Sequence, residues 1–157
     1  MKGLKPYSNL GHELIIVNDG SQDSSEYLLS KYNYIKNITL KTNQGKGEAI
    51  KRGLIKANHN KIVIFDGDME LNPKSINQLM LLNKKKNIQC VLGSRFDFIT
   101  PFQSKWDFGN YFFTWLFNLV HNTKIKDSLC CAKSFYKKDI NPANLKSSKF
   151  DIDVELT

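Results

Sequence analysis

The 157 residues contain only three cysteines, four prolines, three histidines and two tryptophans. Cys90, Cys130 and Cys131 are odd in number and match no zinc-site spacing, and adjacent cysteines rarely bond to each other. This excludes a disulfide framework and a cysteine-ligated metal, and it points to reduced thiols in a reducing, cytoplasmic compartment. The histidines His12, His59 and His121 lie outside any motif, so none is given a role. The polar N-terminus shows no secretory signal. The longest apolar stretch, Tyr111 to Val120, is too short to cross a bilayer. There is no internal repeat and no low-complexity linker. No basic stripe alternates with aromatics as single-strand recognition requires, so nucleic acid is not an expected partner.

The chain carries charge mostly of one sign: 23 lysines and arginines against 15 acidic residues, a net charge of +8. Such a balance suits anionic partners, a phospholipid surface or a phosphorylated ligand among them. It also suits a solvated lysine-rich surface, as in the run Lys84-Lys85-Lys86. With 41% apolar and 24% charged residues, the composition is that of a globular domain, and the length that of one domain, residues 1–157.

Short apolar runs alternate with helical patterns. Glu13 to Val17 predicts a strand that ends at Asn18-Asp19-Gly20-Ser21, and a helix follows from Ser24 or Ser25 to about Tyr32. Ile38-Thr39-Leu40 predicts a second strand. Gly45 and Gly47 open a loop before a helix from Glu48 to Ala57. Lys61 to Phe65 predicts a third strand, stopping at Asp66-Gly67-Asp68. Pro73 starts a helix that carries Ile76, Leu79, Met80 and Leu82. Cys90 to Gly93 predicts a fourth strand, ending at Ser94-Arg95. Residues 96–106 read as a loop, and Asp107 to His121 as a helix apolar on nearly every side, which is either deeply buried or laid against lipid. The tail from Ile125 to Thr157 is mixed. Strands that are continuous apolar runs, separated by helices, predict an α/β fold: three layers, with a mostly parallel sheet covered by helices on both faces.

In such sheets ligands bind beyond the carboxyl ends of the strands, and three strands here end in polar or charged turns. Asp66 and Asp68, one glycine apart after a buried strand, can place two hard oxygens near one Mg²⁺ or Mn²⁺ ion, which neutralises a diphosphate leaving group. The competing reading is a solvated Asp-Gly turn. Asp19 follows its strand in the same way, suited either to a base N–H or to capping its own turn. Asn43-Gln44-Gly45-Lys46-Gly47 precedes a helix, so Lys46 and the helix start can meet phosphate, although the full phosphate-loop spacing is absent. Arg95 and Lys133 are candidate phosphate ligands, with surface charge as the alternative.

These motifs assemble in a recognisable order. Glu13-Leu-Ile-Ile-Val-Asn-Asp-Gly-Ser-Gln-Asp23, Asn43 to Ala49 with Gly53, Ile62 to Asp68, and Val91 to Phe96 resemble successive motifs of family 2 glycosyltransferases of the GT-A type. Gly109-Asn110, Lys126 to Phe135 and Phe150 to Leu156 are similar to the branch that makes polyprenyl- and dolichyl-phosphate glucose or mannose. The resemblance implies a nucleotide-sugar donor carrying UDP or GDP, a lipid-phosphate acceptor, hexosyl transfer and a peripheral place at the cytoplasmic face of a membrane. It implies that Asp19 binds the base, that Lys46 lies in the donor loop, and that Asp66 and Asp68 sit at metal and diphosphate. Arg95 and Lys133 would bind phosphates, with Asp127 organising the site around them. Asp153 and Glu155 match an acidic segment near the acceptor.

Three departures from the pattern stand out. Asn18 replaces a frequent Asp. Leu129 and Cys131 replace a polar residue and a glycine. Residues 1–12 contain no counterpart of the family's first strand, which implies a domain cut short at both ends. A non-catalytic remnant with a partial nucleotide-sugar site is therefore the alternative reading. The missing strand would lie between 13–17 and 61–65. The expectation is that these two segments pair directly, that residues 1–12 substitute, or that the chain associates through an open edge.

Overall fold

The computed structural model describes residues 2–68, 70–95 and 105–157. Helix α1 (Lys5–Asn9) precedes strand β1 (Ile15–Asn18), helix α2 (Ser25–Ser30) and strand β2 (Lys36–Thr39). Helix α3 (Lys46–Lys56) leads to β3 (Lys61–Ile64), a 3-10 turn at Pro73–Ser75 and the short α4 (Ile76–Leu79). Then come β4 (Cys90–Leu92), α5 (Lys105–His121), β5 (Lys133–Tyr136) and α6 (Ile152–Glu155). The predicted loop at 96–106 lies outside the described residues as far as 104. At 105 the helix has already begun.

The predicted parallel pairing holds for β1 and β2, with Ile15 opposite Lys36 and Asn18 opposite Thr39. The second sheet has the order β3-β5-β4, and β5 runs antiparallel to both neighbours. β3 and β4 therefore point the same way on either side of a reversed strand. The expected sheet was mostly parallel, and the departure from it lies in β5 alone. β5 is buried at all four positions, as a central strand must be, yet its sequence is Lys-Ser-Phe-Tyr rather than an aliphatic run.

The β3-β5-β4 sheet is covered on both faces, because successive side chains alternate across it. Ile62 and Ile64 pack with Phe135 toward Leu54 of α3 and toward Ile152 and Leu156 at α6. Val63 and Phe65 face Leu79, Cys130, Cys131 and Ala132, with Val91 beside them. Helix α3 fits its macrodipole, with Glu48 in the first turn and Lys56 in the last, and a Glu48–Arg52 pair at 2.8 Å spans one turn.

The gap expected between β1 and β3 is not closed by pairing, since the two strands belong to different sheets. Residues 2–12 do not substitute as a strand either. They form a 3-10 turn and α1, anchored where the buried Tyr7 donates its hydroxyl to Pro73 O at 3.0 Å. Pro6 in the first turn of α1 explains the choice: its fixed φ suits a helix start, and it has no N–H to give a sheet.

Candidate active site at the strand ends

The polar turns after β1, β3 and β4 hold Asp19, Asp66 with Asp68, and Arg95. The reversal of β5 adds what the turns alone do not supply. Lys133 is the first residue of β5 and pairs with Ile64 and Leu92, the last residues of β3 and β4. The loop 127–132 therefore arrives at the same edge as the two turns.

Asp19 accepts hydrogen bonds from the backbone N–H groups of Gln44 and Gly45, both at 2.8 Å. It clamps the glycine loop across 25 residues of sequence, a role outside both the base contact and the self-capping turn that the sequence suggests. Gly45 has φ +97°, a left-handed conformation that favours glycine. A Cβ on Gly47 would lie 2.8 Å from the backbone of Ser148, so the loop lies directly on the 147–148 segment. Glu155 braces that segment by accepting from Lys146 N and Ser147 N at 2.8 Å each, which holds its carboxyl below the usual carboxylate value.

Lys46, the first residue of α3, extends its ammonium between two carboxylates: Asp66 Oδ2 at 2.7 Å and Asp153 Oδ2 at 2.8 Å. Burial alone would lower the lysine's pKa, but the bonds to Asp153 and Asp66 outweigh it and hold the pKa above its ordinary value. Asp153 is 7% exposed, and burial raises its pKa despite the lysine. Its Oδ1 is buried with no hydrogen-bond partner among the described residues. Asp68 caps its own turn, accepting from Glu70 N at 3.0 Å. Sequence reasoning placed Asp153 only by resemblance. The 107-residue separation between Lys46 and Asp153 hides this contact from any local pattern.

Arg95 grips Asp127 with a two-pronged fork, Nε to Oδ2 at 2.9 Å and Nη2 to Oδ1 at 3.1 Å, and its backbone N–H adds a third bond at 3.1 Å. Leu129 N donates to the same carboxylate at 3.2 Å. These bonds drive the arginine's pKa up further, although burial opposes them. Lys133 is 1% exposed, and its ammonium donates to Cys130 O at 2.7 Å, Thr157 Oγ1 at 2.8 Å and, weakly, Ser128 O at 3.5 Å. Burial pushes its pKa down. The sequence offered Lys133 as a phosphate ligand; in this structure its buried ammonium is directed at protein oxygens, where it supports the 127–133 loop.

Asp66 and Asp68 suit a cation that takes one or two carboxylates and completes its shell with waters and ligand phosphates. Among the described residues no three acidic, histidine or cysteine side chains converge as a self-sufficient metal cage. Two carboxylates would leave most of such an ion's shell to waters and ligand phosphates.

Comparison with known proteins now places the chain. The sequence profile of glycosyl transferase family 2 matches residues 4–141. The chain belongs to glycosyl transferase family 2. A dolichyl-phosphate beta-glucosyltransferase of Dictyostelium discoideum is 28% identical over 161 residues, covering 92% of this chain and 49% of that protein. Its human counterpart is 29% identical, covering 92% and 50%. The chain thus spans about half the length of these relatives. The fold matches that of glucosyl-3-phosphoglycerate synthase from Mycobacterium tuberculosis, with a TM-score of 0.67 at 18% identity, covering 92% of this chain and 52% of that one. That likeness shows the GT-A fold, an α/β architecture.

Proposed function

We propose that the chain transfers glucose from a UDP- or GDP-sugar to a polyprenyl phosphate. The observation that carries this reading is the gathering of Lys46, Asp66, Asp68, Arg95 and Asp127 at one sheet edge, in a family whose similar members are dolichyl-phosphate glucosyltransferases. Asp66 and Asp68 would hold Mg²⁺ or Mn²⁺. Such an ion, when bound, supplies charge neutralisation at the leaving diphosphate. Asp19 orders the glycine loop and would accept a base N–H of the donor.

An ionised phosphate oxygen of the acceptor attacks the anomeric carbon of the sugar. The bond from that carbon to the donor diphosphate breaks, and the nucleoside diphosphate leaves with the electron pair. The acceptor is already anionic, so no strong protein base is needed. Orientation and electrostatic stabilisation of the leaving group carry the rate. Arg95, fixed by Asp127, sets a positive edge for phosphate, and Lys133 holds the loop that positions Asp127.

No helix among the described residues is long and apolar enough to cross a membrane. Helix α5 nevertheless exposes Phe108, Phe113, Trp115 and Leu119. An apolar cavity of about 190 Å³ lies between α5 and Ser128, Leu129 and Val154. These surfaces suit reversible attachment to a lipid interface, where a polyprenyl chain resides.

The test is a transfer assay with UDP-glucose and a polyprenyl phosphate, with and without Mn²⁺, beside calorimetry of UDP binding. Glucosyl lipid formation that depends on metal and is lost in Asp68→Ala supports the reading. Metal-dependent UDP binding without turnover supports the non-catalytic alternative. Unchanged metal-dependent UDP affinity in a folded Asp68→Ala chain removes Asp68 from the site.

A further inference from the structure

The Lys46 knot is already occupied by a cation of the protein's own. One ammonium serves two carboxylates, Asp66 at 2.7 Å and Asp153 at 2.8 Å. Asp153 also keeps a second, buried oxygen with no hydrogen-bond partner among the described residues. The lysine is held in place from behind. Gly45 N and Gln44 N are tied to Asp19, and Glu48 N donates to Ser148 O at 3.2 Å. The start of α3 is thereby fixed, and the side chain alone is left to move.

A divalent cation on Asp66 would need oxygen contacts of about 2.0–2.2 Å. The Lys46 ammonium stands against Asp66 Oδ2, and two cations at one carboxylate oxygen repel each other. A diphosphate changes the competition, since it offers the ammonium several anionic oxygens and brings ligands for the metal at the same time.

We propose that Lys46 is a resident cation that closes the metal site of the donor-free chain, and that it releases Asp66 only when a nucleoside diphosphate draws the ammonium away. Metal binding is then conditional on the donor, and Asp153 is a positioning residue that stores the lysine in the closed state. The inference rests on the reading of Asp66 and Asp68 as metal carboxylates.

The experiment measures Mn²⁺ binding to the full 157-residue chain from the electron paramagnetic resonance signal of free Mn²⁺, with and without UDP, after correction for Mn²⁺ bound by UDP itself. In the wild type, UDP is expected to tighten Mn²⁺ binding about tenfold, within the usual range of coupling between sites. Lys46→Met, or the shorter neutral Lys46→Gln if the first does not fold, is expected to bind Mn²⁺ about tenfold more tightly without UDP and to lose the coupling. A folded variant with unchanged or weaker UDP-free Mn²⁺ affinity overturns the proposal. So does a wild type without coupling, a result that needs no variant at all. Asp68→Asn separates the two ideas. If it leaves Mn²⁺ affinity unchanged in the presence of UDP, the metal reading itself fails. If it weakens Mn²⁺ while Lys46→Met does nothing, only the resident cation is lost.

Discussion

At the residue scale, the site is built from ionisable groups taken out of water and held by specific partners. Asp127, with a fully buried side chain, accepts four hydrogen bonds among the described residues, three of them from Arg95. Removing one partner of a buried ion pair strands the other, at a cost of about 3–5 kcal/mol. Asp127→Asn keeps the shape, loses the charge and turns one accepting oxygen into a donor facing donors. Urea denaturation should show a loss near the lower end of that range. A loss under about 1 kcal/mol would mean that the pair is not closed in solution.

The adjacent thiols make a second case. The Cys131 S–H stabilises the Cys130 thiolate and holds Cys130 at about 7 against an ordinary 9.0, while Cys131 is driven up in return. A folded-state value below the unfolded one gives stability that is present above pH 9 and lost as pH falls through 7. The raised Cys131 acts oppositely, but only above pH 9. The urea midpoint should therefore rise between pH 7 and 9. In Cys131→Ala that rise should vanish, and the thiolate absorbance should shift to the ordinary range. A midpoint with the same slope in both proteins would refute the coupling.

At the element scale, the legible parts were those where local pattern and tertiary role agree. β1 and β3 are apolar runs that end in Asp-bearing turns, and α3 begins directly after Gly45; all three lie within two or three residues of where the sequence put them. β5 was hidden because its buried Lys133 and Ser134 are satisfied in part by oxygens distant in sequence, Thr157 Oγ1 and Leu79 O, which no local pattern can announce. With β5 went the antiparallel order, and hence the reason that the 127–133 loop reaches the site. Helix α5 was legible as an element, and of the two fates offered it deep burial does not hold. Trp115 and Phe113 are each more than half exposed. Burying such a side chain in a lipid interface contributes about 1.5–3 kcal/mol. The wild type should partition onto anionic vesicles more than neutral ones, and Phe113→Ser with Trp115→Ser should weaken partitioning onto both by at least about tenfold. Equal partitioning of the wild type onto both vesicle types would remove the electrostatic part. An unaffected double variant would remove α5.

At the scale of the whole molecule, the surface is large for the mass. A compact monomer of 18.1 kDa exposes about 8,100 Å². This chain exposes 10672 Å², about a third more. The excess has identifiable sources. The strands divide into two sheets, so β1 and β3 each keep one edge unpaired by any strand among the described residues. Most of α5 faces outward, and the buried apolar side chains form two small clusters in place of one continuous core. Charge works against association, with +8 on the chain and Lys36 and Lys61 standing on the strands. Salt screens that repulsion and leaves the apolar surface and strand edges in place, because the Debye length falls from about 10 Å at 0.1 M to about 3 Å at 1 M ionic strength. Sedimentation velocity should therefore show self-association that grows with protein concentration and with added salt. Calorimetric unfolding should give an enthalpy clearly below the usual value of about 0.7 kcal/mol per residue, since less surface is buried than a domain of this length normally buries. A chain that stays monomeric in high salt and melts with the full per-residue enthalpy would show that the two sheets and the open edges are no weakness in solution.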